Sequence, residues 1–246
     1  MSLDPRVTYL EKKLDRIKRV WAVVSGKGGV GKSTIASVIS LLLKEKGFKT
    51  GLLDLDIYGP STHIILGVKN FNLIEEKGVL PQNIDGLEYL SILSFTKNKP
   101  FSLRGDELTE IFLELFTITN WGDLDFLIID MPPGLGDTTL DLMKFIKKSE
   151  YLLISNSSRV SMETVLKLFE ILKYNNKKIL GLIENMKFSD DEFVLKECEK
   201  RGINYLGSLN FYFDLDYLYG NVYGIINSDL SLFLYKILER ILNQNF

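Results

Sequence analysis

The feature that most constrains this chain is a glycine-rich loop set between an apolar run and an amphipathic one. Residues 20–25 are short and apolar, with β-branched Val20, Val23 and Val24. They run into Gly26-Lys27-Gly28-Gly29-Val30-Gly31-Lys32-Ser33 and Thr34. After these come Ile35, Val38, Ile39, Leu42 and Leu43 at helical spacing. Glycine, four residues, then Gly-Lys-Ser is a phosphate-cradling pattern, because glycines let successive backbone N–H groups curl around phosphate oxygens where a Cβ would collide. Lys32 brings a point charge for the β- and γ-phosphates, and Ser33 brings a hydroxyl able to ligate Mg²⁺. The helix that begins at Ser33 adds the positive end of its dipole.

A strand feeding a phosphate loop and then a helix predicts an α/β fold, and the rest of the chain agrees with that reading. Apolar runs suited to strands buried on both faces fall at residues 20–25, 50–55, 87–93, 126–130, 151–155, 179–184 and 205–209. Helical periodicities lie between them: 35–46, 108–116 and 165–172, with a last one from Leu230 to Leu242. The expectation is a mostly parallel sheet with helices on both faces. Residues 69–86 form the longest irregular stretch, too short for a domain. The chain therefore reads as one phosphate-binding domain over 20–246, preceded by a basic helical extension over 1–19 that holds Arg6, Lys12, Lys13, Arg16, Lys18 and Arg19.

With 246 residues, 46% hydrophobic and 25% charged, the chain is long enough to bury a core without a metal or disulfide staple. A net charge of −2 gives no general attraction to nucleic acid, and no apolar run approaches the ~20 residues of a membrane span. The last helix, with only Lys236 and Arg240 against Asp229 and Glu239, suits core packing better than an anionic bilayer. One cysteine excludes an internal disulfide, and the expected compartment is the cytoplasm.

Lys27 goes beyond the bare phosphate pattern. Lys-Gly-Gly-x-Gly-Lys-Ser resembles the deviant Walker A signature of the SIMIBI-type P-loop ATPases, which include the ParA, MinD, nitrogenase iron protein and Mrp groups. The resemblance implies that Lys27 reaches across a homodimer interface to the partner's nucleotide, as an arginine finger does elsewhere. It implies a second strand ending in Asp54 and Asp56, with Asp54 holding a water of the Mg²⁺ ion and Asp56 orienting the attacking water. Asp130, closing Phe126-Leu127-Ile128-Ile129-Asp130, is similar to Walker B, in the second shell of Mg²⁺. Gly134 then offers its N–H to the γ-phosphate. Asn185 stands where the class reads adenine, and the GTP-type Asn-Lys-x-Asp is missing, so ATP is the expected nucleotide. The catalytic set is thus Lys27, Lys32 and Asp56. The nucleotide-binding set is Gly26 through Thr34 with Gly134 and Asn185, and the metal set is Ser33, Asp54 and Asp130.

Further segments resemble the Mrp-type (ApbC-like) iron–sulfur carrier branch: Asp56-Ile57-Tyr58-Gly59-Pro60-Ser61, Leu103-Arg104-Gly105, Trp121-Gly122-Asp123-Leu124 and Glu184-Asn185-Met186. Carriers of this branch place Cys-x-x-Cys soon after Glu-Asn-Met and pool four thiolates from two protomers around a [4Fe–4S] cluster. Here 187–201 hold only Cys198, between Glu197 and Glu199, which reads as an inert helix residue. No cluster is expected on this chain alone. The family also usually has Ile-Pro where this chain has Leu209-Asn210, which leaves the packing of adenine open. The expected function is a slow Mg-ATPase acting as a homodimer in iron–sulfur cluster assembly with a client protein, or a relative of the carriers that lost its cargo site. The alternative is a MinD/ParA-like positioning or scaffold ATPase. His63, the sole histidine, reads as a surface or helix-start residue.

Overall fold

The computed structural model describes residues 5–71, 73–96 and 105–243, so the Leu103-Arg104 pair lies outside the described residues. Along the chain come α1 (Pro5–Leu14), β1 (Ile17–Ser25), α2 (Lys32–Glu45), β2 (Thr50–Asp54) and α3 (Thr62–Leu66). Then follow β3 (Ile74–Glu75), β4 (Val79–Leu80), β5 (Gln82–Ile84), β6 (Leu87–Ser91), α4 (Leu93–Thr96) and α5 (Gly105–Ile118). Next are β7 (Leu124–Asp130), α6 (Asp137–Phe145), β8 (Ser149–Asn156), α7 (Arg159–Tyr174) and β9 (Lys178–Lys187). The chain ends with α8 (Phe193–Arg201), β10 (Tyr205–Asn210), α9 (Leu215–Leu218), α10 (Val222–Ile226) and α11 (Asp229–Asn243).

The main sheet has the order β10-β9-β8-β1-β7-β2-β6-β5. Every neighbouring pair is parallel except β5 with β6. All seven apolar runs identified in the sequence are strands of this sheet. Their unbroken apolarity follows from burial on both faces. On β1, Val20, Ala22 and Val24 face one core while Trp21 and Val23 face the other. The first core is closed by Phe112 and Phe116 of α5 and Leu168 of α7, the second by Ile35 and Ile39 of α2 and Leu234 and Leu238 of α11. Each such fully buried aliphatic side chain contributes roughly 1.5–3 kcal/mol. α1 belongs to the first core as well: Val7, Leu10 and Leu14, spaced along one helix face, are all buried in it.

Residues 69–86, expected to be irregular, contain β3, β4 and β5. The hairpin from β5 to β6 turns on Asp85 (φ 49°) and Gly86 (φ 94°), with Ile84 paired to Leu87. An Asp-Gly dipeptide with both φ values positive is the two-residue turn that matches strand twist. The strands are only two or three residues long, which is why periodicity missed them.

β1 lies between β7 and β8, so the chain leaves it first toward β2 and later toward β8. Ligands in open parallel sheets settle at such a reversal, beyond the carboxyl ends of the strands. Among the described residues no helix is long and apolar enough to cross a membrane.

Candidate functional site

The glycine-rich loop connects the end of β1 to the start of α2. Gly31 is the N-cap residue of α2, with φ 80°, and no side chain caps this end; the first turn also contains no acidic residue. The N-terminal amide donors of a 14-residue helix are therefore left for an external acceptor, with the positive end of the dipole behind them. Two glycines are fixed by close approach. A Cβ on Gly31 would stand 2.2 Å from Asn185 Nδ2, and one on Gly26 2.3 Å from Thr164 Oγ1 of α7. The loop borders an open cleft of about 440 Å³ lined by, among others, Lys27, Lys32, Ser33, Asp56 and Ser61. Lys27 is partly exposed on its rim and makes no ion pair among the described residues.

The floor of the cleft is a buried ionic cluster. Lys32 Nζ lies 2.5 Å from Asp130 Oδ1 and 3.6 Å from Asp56 Oδ2. Strand register makes this possible, because Asp54 and Asp130 are directly paired at the carboxyl ends of β2 and β7. Asp54 and Asp56 are both buried but do different jobs. Strand pairing ends at Asp54, whose Oδ1 accepts the Asp56 N–H (3.0 Å) and whose Oδ2 accepts the Thr62 hydroxyl (2.5 Å). Asp56 Oδ1 accepts the N–H groups of Tyr58 and Gly59, both at 3.2 Å, which bends the chain along the cleft wall. Burial, reinforced by the nearby Asp130, pushes the Asp54 carboxyl up to about 7. Burial also raises Asp130, against the pull of Lys32. The Lys32 ammonium is desolvated, yet Asp130 and Asp56 hold it above the ordinary lysine range.

Three buried carboxylates thus share one ammonium; the Ser33 side chain also hydrogen-bonds Asp130, whose Oδ2 has no other partner among the described residues. Among the described residues no group of three or more His, Cys, Asp or Glu side chains forms a self-sufficient metal site. A hard dication fits here only in company with phosphate oxygens and water, the usual coordination of Mg²⁺ beside a nucleotide. Gly134, in the loop after β7, has φ 86° and donates its N–H to the Ser25 carbonyl at 2.9 Å. In this conformation that N–H is engaged by the chain itself.

Asn185 is nearly fully buried near the end of β9, and its Nδ2 donates to the Val30 carbonyl at 2.9 Å. Its amide therefore ties the end of β9 to the glycine-rich loop. Beyond it is a second cavity of about 90 Å³, lined by Thr34, Asn185, Phe211, Tyr212, Asp216 and Tyr219 among others. Thr34 and Met186 border both this cavity and the cleft, so the two adjoin. The sequence reading named none of residues 211–219. Their density of aromatic side chains directly after the last strand was the available signal. Phe188 and Phe211 stack at 4.9 Å between centroids, and Phe213 meets Phe211 edge-on.

Cys198 lies on the buried face of α8. Burial, then the negative charges of Glu184, Glu197 and Glu199, push its thiol up to about 12. Both oxygens of Glu184 are satisfied internally, by Ser157 Oγ at 2.8 Å and Tyr205 OH at 2.7 Å. His63, the second residue of α3, is half-buried against Phe71 and takes no part in the ionic cluster.

The geometry agrees with what the chain resembles. The ParA family described as NUBPL iron-transfer P-loop NTPase matches residues 16–208. An iron-sulfur cluster carrier protein of Aquifex aeolicus is 35% identical over 184 residues, 73% of this chain and 50% of that protein. The cytosolic Fe-S cluster assembly factor Nubp2 homolog of Drosophila simulans is 36% identical over 194 residues, 75% of this chain and 73% of that protein. The chain thus spans only half the length of the first relative. A nucleotide-binding protein of Archaeoglobus fulgidus, solved in complex with ADP, shares the fold with a TM-score of 0.79 at 24% identity, covering 92% of this chain and 95% of that one.

Proposed function

This chain belongs to the ParA family of NUBPL-type iron-transfer P-loop NTPases, and from that premise we propose that it binds Mg-ATP in the cleft and hydrolyses it as a homodimer serving iron–sulfur cluster assembly. The observation that carries the reading is the convergence of Lys32, Asp54, Asp56 and Asp130 beneath an uncapped helix end.

In this reading Gly26, Gly28, Gly29, Val30 and Gly31 offer backbone N–H groups to the phosphates, and Thr34 flanks the α-phosphate side. Ser33, Asp54 and Asp130 would hold Mg²⁺, Ser33 through its hydroxyl and the two carboxylates through water. When bound, the ion neutralises charge building on the phosphate oxygens. Lys32 turns from Asp130 toward the β- and γ-phosphates, since an anion of higher charge outcompetes one carboxylate. Asp56, on the cleft wall, orients the attacking water. Phosphoryl transfer with a loose transition state asks for such positioning more than for a strong base. Gly134 exchanges its bond to Ser25 for the γ-phosphate, which makes the loop after β7 sensitive to hydrolysis. Lys27, without an ion pair among the described residues, completes the site of a second protomer in this reading, and Asn185 Oδ1 serves the base.

The iron–sulfur role is carried over from the relatives' names and is narrower here than in a carrier with Cys-x-x-Cys. Cys198 is buried and protonated, so this chain does not hold a [4Fe–4S] cluster by itself and works with a client or assembly partner. The same observation favours a second reading, a MinD/ParA-like scaffold ATPase whose dimer binds another protein. The proposed division is an N-terminal extension over 1–19, whose α1 packs on the core, and a domain over 20–246, and the proposed compartment is the cytoplasm, where the Nubp2 homologs are named as acting.

Sedimentation of Asp56→Ala protein tests the assembly. With Mg-ATP it sediments at twice the protomer mass, and with ADP as a monomer. A monomer in saturating Mg-ATP rejects the sandwich dimer.

A further inference from the structure

The outer wall of the base cavity is tied to the protein at two adjacent residues. Tyr219 OH lies 3.1 Å from Thr34 Oγ1, in the first turn of α2 directly after the phosphate loop. The next residue, Gly220, donates its N–H to the Ile65 carbonyl of α3 at 3.0 Å. Gly67, which ends α3 with φ 73°, sits so close that a Cβ there would stand 2.7 Å from the Gly220 carbonyl oxygen and 3.0 Å from its Cα. Gly220 itself has φ 84°. Two glycines in left-handed backbone therefore meet face to face, an approach closed to any other residue at Gly67.

α3 is not a remote element. It begins at Thr62, whose hydroxyl bridges Asp54 Oδ2 and the buried Tyr89 OH, the latter at 2.9 Å. It follows directly on the cleft-wall segment that contains Asp56, Tyr58, Gly59 and Ser61. Tyr219 thus touches the P-loop helix on one side. Through Gly220 it touches the helix that holds Asp54 on the other.

We propose that Tyr219 and Gly220 form a joint through which a filled base cavity sets the position of residues 54–66, making Tyr219 a positioning residue for hydrolysis. This rests on the nucleotide reading above. A base in the cavity presses on Tyr219 while its hydroxyl is held at Thr34, so the residue pivots on that bond, and the Gly220–Ile65 bond and the Gly67 approach carry the displacement to α3. Thr62 then delivers it to Asp54. The joint distinguishes a nucleotide from bare phosphate, because pyrophosphate fills the cleft without touching Tyr219.

Two variants break the joint from opposite sides. Tyr219→Phe keeps the ring and removes only the hydroxyl; Gly67→Ala forces Gly220 away without entering either cavity. Amide hydrogen exchange is followed over 61–67 and 215–221 in wild type and both variants, without ligand, with ADP and with pyrophosphate. Thermal melts confirm that each variant is folded. In wild type ADP slows exchange in both segments together, by about fivefold to tenfold, the worth of one hydrogen bond. Pyrophosphate slows neither segment to that degree. In both variants ADP protects 215–221 but leaves 61–67 as in the free protein. In turnover, kcat for ATP falls about tenfold while KM stays within about twofold; a residue that only packs the base raises KM and spares kcat. If ADP binds and protects 61–67 equally in wild type and variants, the joint is overturned while the nucleotide site stands. If wild type binds no ADP at all, the nucleotide reading fails and the joint falls with it.

Discussion

Lys32 Nζ sits 2.5 Å from Asp130 Oδ1 at the bottom of the phosphate cleft, with both side chains buried and Asp56 Oδ2 3.6 Å from the same ammonium. The lysine proposed to bind phosphate is therefore also the ammonium that, among the described residues, neutralises the buried carboxylates, and this double duty shapes what its removal does. A lysine merely projecting from a loop would be lost without structural cost. This one leaves three carboxylates unpaired, and breaking a buried pair costs about 3–5 kcal/mol.

Lys32→Ala should lower the melting temperature of the ligand-free protein by on the order of 10 °C at pH 8. The drop should be smaller at pH 5.5, where the carboxylates relieve their repulsion by taking up protons. Equal drops at the two pH values would mean that the triad is not the source of the loss.

Asp54 gives a prediction with the sign fixed by linkage. Its folded-state carboxyl is raised to about 7 from an ordinary value near 3.8, so the folded state binds the proton more tightly than the unfolded chain. That stabilisation is complete below about pH 4 and is lost as pH rises through about 7. In protein free of metal and nucleotide, Asp54→Asn should therefore gain stability on wild type steadily from pH 4 to 8. Paired melts across that range check it, and a constant difference would contradict it.

Cys198 should behave as a core residue. With its thiol held up near 12 and no exposed surface, it should resist an aromatic disulfide reagent at pH 8 and react fully on denaturation. Anaerobic reconstitution with iron and sulfide should leave substoichiometric iron that Cys198→Ser does not change. Stoichiometric iron and sulfide lost in that variant would show that the chain does bind a cluster.

Lys27 is expected to act in trans. Lys27→Ala should bind nucleotide with wild-type affinity and turn over at least about tenfold more slowly. Mixing it with Asp56→Ala protein should restore part of the activity, because one of the two sites then has both groups. Additive rates without recovery would place Lys27 outside the partner's site.

Much of this architecture was legible in the residues, for a physical reason. Strands buried on both faces must be continuously apolar, so all seven long strands announced themselves, and the strand–glycine–helix passage around Gly31 located the phosphate cleft. The short strands of 69–86 were hidden because two residues have no period; only Asp85-Gly86 marked them. At the site, the residue types Lys32, Asp54, Asp56 and Asp130 were readable, but their pairing was not. It depends on β7 inserting between β1 and β2, which brings Asp130 beside Asp54 from 76 positions away. The base-side wall was invisible for a similar reason. Tyr219 and Gly220 acquire their partners Thr34, Ile65 and Gly67 only when 211–221 folds back over α2 and α3.

Hydrolysis of Mg-ATP in this cleft is tested most directly by Ser33→Ala, which removes a side-chain hydrogen bond to Asp130 but none of the buried ion pairs. Phosphate release from ATP should be measured for wild type and variant, with Mg²⁺ and with EDTA, alongside ADP affinity. The account predicts slow Mg²⁺-dependent release by wild type and at least a hundredfold less (roughly the loss of one metal-linked transition-state contact) by Ser33→Ala, with ADP still bound. Equal release by the two proteins, or release by wild type that EDTA does not stop, would contradict it.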